Sequence, residues 1–297
     1  MSILETINIT NGVNLRLING DKFGFVTMSI LFRQPLQRDM ATANALLSLM
    51  LLSGSKSYKN RRLLEMAFEQ YEGAVVDTSV IKKGNEQIIQ IYARFKQAYT
   101  EDICCLLNDI IFNPVFNNEQ VEKNILKNII LSQINNKRQY AFSQFMEKIY
   151  DDVNADGYVE DIDSIDINKE YKRAIENSLI EILVVGGNKG IIEKCVKQYF
   201  TFTDRNINNI ELKKLTPVKT RYIEDSDVLQ SKICVGLQCD FGCKGIEYAR
   251  LMVANDIFSS GANSKLYAKA REDENLCYYI TGRLFRFNSL ITIEAGI

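Results

Sequence analysis

The sequence predicts an α+β protein built from two tandem copies of one unit, each an antiparallel-rich sheet with helices packed on one face, the second copy incomplete. Two observations carry this reading. Short runs that alternate apolar and polar residues are interleaved with longer runs of helical period. The pattern that opens the chain also returns after residue 230, where "FSSGANS" (258–264) lines up with "LLSGSKS" (51–57) at an offset of 207.

Residues 24–34 read as a half-buried strand with Val26, Met28, Ile30 and Phe32 on one face. A helix over 40–52 is apolar nearly all round and therefore buried, and Gly54 suits its C-terminal stop. The next helix carries Leu64, Ala67, Phe68 and Tyr71 on one side and closes at Gly73. Strands follow at 74–81 and 86–95, the latter with Ile89, Ile91, Ala93 and Phe95 opposite Gln90, Tyr92 and Arg94. Helices dominate 97–150, and a helix (168–178), the strand "IEILVVGG" and the helix "GIIEKCVKQYF" complete the first domain, 1–208. The polar segment "NINNIELKKLTPVKT" lacks a period and holds one of only three prolines, so 209–217 reads as linker. The second domain, 218–297, opens with "SKICVGLQC", a strand with Ile233, Val235 and Leu237 on one face. A helix over 245–258, a short helix through Arg271 and the strands "CYYITGRLF" and "SLITIEAGI" follow, with no counterpart of 97–208.

Composition excludes several functions. Zero histidines remove Ser-His-Asp and Cys-His catalysis and every imidazole-ligated metal site. A net charge of -1 leaves no electrostatic footprint for nucleic acid, and no apolar run is long enough to span a membrane. "MSILETINITNG" lacks the layout of a secretion signal. With seven cysteines (Cys104, Cys105, Cys195, Cys234, Cys239, Cys243, Cys277), an odd number, reduced thiols in a cytoplasm are expected.

Smaller motifs have plainer readings. "DVNADGYVEDID" places Asp152, Asn154, Asp156 and Asp163 at calcium-loop positions with Gly157 at the turn; an Asp-rich surface turn is the preferred alternative. "VVGGNKG" lacks the G-K-[ST] ending of a phosphate loop and reads as a tight strand-to-helix turn. S-x-x-K at Ser53–Lys56 is short enough to arise by chance, and Cys234, Cys239 and Cys243 lack paired C-x-x-C spacing.

In "NDIFSSGANSKLYAKAREDENLCYYI", eight positions (Asn255, Gly261, Ser264, Leu266, Arg271, Glu272, Leu276, Tyr278) fit N-x-x-L-G-G-G-x-x-S-x-L-x-x-x-x-R-E-x-x-x-L-x-Y. This resembles the M16 (pitrilysin/insulinase-like) metallopeptidases, and the similarity runs over nearly all of the chain. "NNKRQYA", "GYVEDIDSIDINKEYKRA" and "LCYYITGRL" are similar to the zinc-less subunit of bacterial two-subunit members. The resemblance implies tandem M16-like (LuxS/metallopeptidase-like) domains. In active members H-x-x-E-H sits on the buried helix before x-L-F-x-G-T. Here "LMLLSGS" puts Ala45 and Leu49 at the histidine places and Ser48 at the general-base place. The third ligand, a glutamate on a later helix, falls near Ser132.

The resemblance therefore implies a chain that is catalytically silent alone and holds no cofactor, with zinc in a partner subunit. Its substrate would be a peptide, bound where Arg271 and Tyr278 are lent to the partner's site. In some two-subunit members the pathway is bacteriocin processing or elongation factor P modification. A non-catalytic assembly protein on the same scaffold, as in respiratory complexes, is the alternative. An active metallopeptidase with Asp, Glu or Cys ligands is a third reading, against which stands the lack of a ligand-spaced cluster.

Overall fold

The protein is described here by a computed structural model covering residues 4–18, 20, 24–205, 207, 210–211, 214–239 and 245–297. Cys243 and several linker positions (209, 212, 213) lie outside the described residues. The chain divides into two compact units. The first comprises Met1–Lys82, Glu86–Asn128 and Ala155–Ile210; the second comprises Lys83–Asn85, Ile129–Asn154 and Glu211–Ile297.

The first unit contains β1 (Leu4–Thr10), β2 (Val13–Ile18), β3 (Phe25–Pro35), β4 (Val75–Lys83), β5 (Glu86–Lys96) and β6 (Leu179–Val185). They form one sheet in the order β1-β2-β6-β3-β5-β4, antiparallel at β1-β2, β6-β3 and β3-β5 and parallel at β2-β6. Because side chains alternate along a strand, register stacks the apolar positions on one face. Met28 pairs with Ala93 and Val184, Ile30 with Ile91 and Ile182, and Phe32 with Ile89 and Ile180. Val13, Leu15 and Leu17 extend this buried row across β2.

Against that face pack α1 (Arg38–Met50), α3 (Thr100–Phe112), α6 (Ile167–Asn177) and α7 (Lys189–Tyr199), with α2 (Arg61–Glu69) following α1 and α4 (Glu119–Asn135) following α3. On the opposite sheet face a charge ladder runs through Arg16, Glu181, Arg33 and Glu86. The β1-β2 hairpin has no counterpart in the sequence reading. Thr10 pairs with Val13 across a two-residue Asn11-Gly12 turn with Gly12 at φ +76°, and Asn-Gly flanked by alternation is a strong hairpin signal.

The second unit holds β7 (Lys232–Gln238), β8 (Tyr279–Phe285) and β9 (Leu290–Gly296), antiparallel in the order β7-β9-β8. This repeats the order β3-β5-β4, and α8 (Gly245–Phe258) begins 207 residues after α1. A helix from the first half of the sequence, α5 (Lys137–Tyr150), also belongs to this unit. Its Phe145, Met146, Ile149 and Tyr150 form a core with Leu290, joined by Phe142, Phe285, Cys234 and Leu215. Phe142 stacks on Phe285 at 5.4 Å, and Arg138 reaches the buried Glu294 at 2.9 Å. The division thus differs from a boundary drawn only at the linker, since Ile129–Asn154 groups with the second sheet.

Two finer expectations change. Ile233, Val235 and Leu237 do share one face, but it remains 39–44% exposed; Cys234 and Gly236 on the alternate face meet α5. Gly54 does not cap α1, which ends at Leu51 in right-handed geometry. An added Cβ at Gly54 would lie 2.9 Å from the Lys59 carbonyl oxygen, so this glycine permits a close backbone approach.

Candidate functional site

Helix α1 is buried on almost every side, and hydrogen bonds from its polar positions fix how it lies on the sheet. Asn44 donates to Gln87 at 2.8 Å, and Gln87 donates to the carbonyls of Ala41 and Ala155. Arg173 on α6 donates to Asn44 at 2.7 Å and also to Gln34. At the other end Thr42 donates to Asp161, which also receives Arg38, and the Arg38 guanidinium lies 3.5 Å from the Tyr158 ring centroid.

The three positions where ligands and base would stand lie within this frame. Ala45 and Ser48 are buried and Leu49 is half-buried. The Ser48 hydroxyl donates to the Ala45 carbonyl at 2.8 Å, while alanine and leucine offer no lone pair. A zinc ion needs three or four N, S or O donors, so these residues do not fit one. Among the described residues no group of three or more Cys, Asp or Glu is placed to hold a metal ion.

A neighbouring pair escaped the sequence reading. Arg61, at the start of α2, donates to the Leu49 carbonyl at 3.2 Å and to Glu122 on α4 at 2.9 Å. Glu122 is only 5% exposed, and its second carboxylate oxygen has no hydrogen-bond partner among the described residues. The cation thus sits at the C-terminal end of α1 and the anion in the first turn of α4, the placement both helix dipoles favour. Glu122 lies on the buried stripe with Leu126 and Ile130, and a carboxylate at i, i+4, i+8 spacing with buried apolar residues was the available signal. Ser132, ten positions further along α4, is exposed and donates to the Ile129 carbonyl; it belongs to the second unit.

In the second unit the residues of the eight-position motif build one turn. Asn255 is buried and accepts the Ser259 hydroxyl at 2.9 Å, while its carbonyl receives the amides of Ser259 and Ser260. Gly261 takes φ +91°, and Ser264 caps α9 (Lys265–Tyr267) by accepting from the Tyr267 amide. A π-helical stretch, Ala268–Asp273, presents Arg271. Its Nη1 donates to the carbonyls of Cys277, at 3.1 Å, and Tyr278, and its Nε donates to the Tyr267 hydroxyl at 3.1 Å. The sequence-predicted pair is thus brought together through the backbone. Arg271 braces the strand entry, and the Tyr278 side chain stands 71% exposed.

The candidate calcium loop divides between the units, Asp152 and Asn154 with the second and Asp156 and Asp163 with the first. Gly157 takes φ +81° and an added Cβ would fall 2.4 Å from Thr42 Cα, so this glycine serves close packing on α1. Asp163 falls in a 3-10 turn, Val159–Ser164. The S-x-x-K serine is engaged structurally, since the Ser53 hydroxyl donates to Met50 and Val115 carbonyls. Gly186 and Gly187, at φ +85° and +79°, form the tight turn between β6 and α7.

Residues 161–297 match the family described as "Peptidase M16 inactive domain". The chain is 25% identical over 313 aligned residues to the "Probable inactive metalloprotease YmfF" of Bacillus subtilis (strain 168), covering 96% of this chain and 73% of that protein. A conserved protein from Enterococcus faecalis V583 has a similar structure, with TM-score 0.91 and 24% identity over 99% of this chain and 75% of that one. A peptidase M16 inactive domain from Pseudomonas fluorescens gives TM-score 0.81 at 16% identity, over 99% and 74% of the two chains. No helix among the described residues is long and apolar enough to cross a membrane. In its fold, and over residues 161–297 in its sequence, this chain is thus similar to M16-like peptidase homologues of the inactive type.

Proposed function

We propose that this chain is the catalytically silent subunit of a cytoplasmic two-subunit peptidase, binding peptide and completing the chamber of a zinc-bearing partner. The observation that carries the proposal is a contrast between the two units. Positions 45, 48 and 49 hold no imidazole, thiolate or carboxylate, yet the motif around Arg271 and Tyr278 is tied by internal hydrogen bonds and leaves Tyr278 exposed. An exposed phenol on a braced strand can donate to the oxyanion that develops when an amide carbonyl is attacked. The remaining guanidinium nitrogen, Nη2 of Arg271, can donate to a peptide carbonyl.

The test is the complex purified with its zinc-bearing companion. Tyr278→Phe, which removes only the donor, is expected to lower peptide turnover by about 100-fold, the usual effect of deleting one oxyanion donor. Arg271→Ala is expected to lower it as well. Unchanged turnover in both variants would leave the chain without a catalytic contribution.

A second reading has its own support: Arg271 uses Nη1 and Nε on its own chain, as a purely structural residue would. A non-catalytic assembly protein on this scaffold is the outcome if the complex forms normally and binds no peptide.

A further inference from the structure

Arg271 is held on two sides by its own unit. Nη1 donates to the carbonyls of Cys277, at 3.1 Å, and Tyr278, while Nε donates to the Tyr267 hydroxyl at 3.1 Å. The Tyr267 ring lies alongside, its centroid 5.9 Å from the guanidinium carbon. The two N–H groups on Nη2 have no acceptor among the described residues. The Tyr267 hydroxyl accepts, and its own hydrogen likewise has no acceptor there. Both side chains are half-buried, so these unused donors border solvent.

The planar fork fixes where they point. The Nε hydrogen and one Nη2 hydrogen leave the guanidinium in parallel, along the edge that grips both oxygens of a carboxylate in a bidentate pair. Here the phenol oxygen fills one of those two oxygen places. An oxygen in the second place would accept from Nη2 and lie beside the phenol, within reach of its O–H. That place suits one uncharged acceptor with two lone pairs. An anion is disfavoured, because Glu272, Asp273 and Glu274 follow directly in the chain and are exposed.

We propose that Tyr267 is a substrate-binding residue: its hydroxyl holds Arg271 by accepting from Nε and, together with Nη2, donates to one main-chain carbonyl oxygen of a bound peptide. This rests on the proposed peptide-binding role and adds a donor to it. Tyr267 stands at an unspecified place of the eight-position motif, and phenylalanine there would keep the ring and lose both bonds.

The test begins with proton–nitrogen NMR of the isotope-labelled full chain, the Arg271 Nε–H signal being identified by its loss in Arg271→Lys. N-acetyl-glycyl-glycinamide, a probe that offers only main-chain carbonyls, is titrated into the millimolar range and is expected to shift that signal. In Tyr267→Phe the signal is expected to move, its hydrogen to exchange faster and the probe's affinity to fall about tenfold, the effect of one lost hydrogen bond. In the complex with the zinc-bearing companion, Tyr267→Phe is expected to lower kcat/KM about tenfold, mainly through KM. The proposal is overturned if the Arg271 signal is the same in Tyr267→Phe, if the probe leaves it unmoved in the unmodified chain, or if KM is unchanged in a complex whose turnover depends on Arg271. Unchanged turnover in Arg271→Ala overturns the silent-subunit reading instead, and the NMR results then decide this site alone.

Discussion

Tyr171 on α6 shows how one side chain can set a pH limit. Its hydroxyl donates to the Ile111 carbonyl at 2.7 Å and its ring meets Phe116 edge-on, and burial pushes the phenol up to about 12. In the unfolded chain the same group ionises near 10. Its contribution to stability is therefore complete below pH 10 and disappears as pH rises from 10 to about 12, because only the unfolded state ionises there. Tyr171→Phe is expected to cost about 1 kcal/mol at pH 7 through the lost hydrogen bond. It should also flatten the decline in urea midpoint between pH 10 and 11; an unchanged alkaline slope would count against the assignment. At this scale the residue types at 45, 48 and 49 are read directly from the sequence. The Arg61–Glu122 link is not, since its partners lie 61 positions apart and neither belongs to a motif.

Individual elements were legible wherever their period was strong. The rows on β3 and β5 are buried as their alternation predicts, and α3, α6 and α7 fall where helical spacing puts them. The β1-β2 hairpin was missed because its Asn11-Gly12 turn was not weighed, although the signal was present. For β7 the alternation was right but its inward side was not. Burial depends on what covers a strand, and α5 covers the side bearing Cys234 and Gly236. A Cβ at Gly236 would fall 2.2 Å from the Tyr150 hydroxyl oxygen and 3.0 Å from Phe145. Gly236→Ala is accordingly expected to push α5 off the sheet and to destabilise the second unit by about 1–3 kcal/mol. Hydrogen exchange localised to residues 137–150 is the measurement, and unchanged protection there would refute the packing argument.

On the scale of the whole chain, the internal repeat was readable because the offset of 207 aligns a helix and its glycine turn. The shared strand order β3-β5-β4 and β7-β9-β8 gives that offset a structural meaning. The composition of the units was not readable, because sequence proximity says nothing of a helix recruited from eighty residues upstream. Residues 211–297 expressed alone should therefore lack a cooperative thermal transition, since Cys234, Phe285 and Leu290 lose the helix that covers them. Supplying a peptide of residues 129–154 should restore one, and cooperative unfolding of the fragment by itself would contradict the division.

The recruitment of α5 also bears on how the polypeptide is made. Its aromatic and aliphatic side emerges from the ribosome before any of β7, β8 or β9 exists. At ~10 residues per second, the growing chain carries that greasy surface uncovered for several seconds before the first of its strands is synthesised. Cells that produce this protein must shelter a half-finished amphipathic helix through that interval, so trigger-type holding factors should matter more to its yield than to that of proteins whose neighbours in space are neighbours in synthesis.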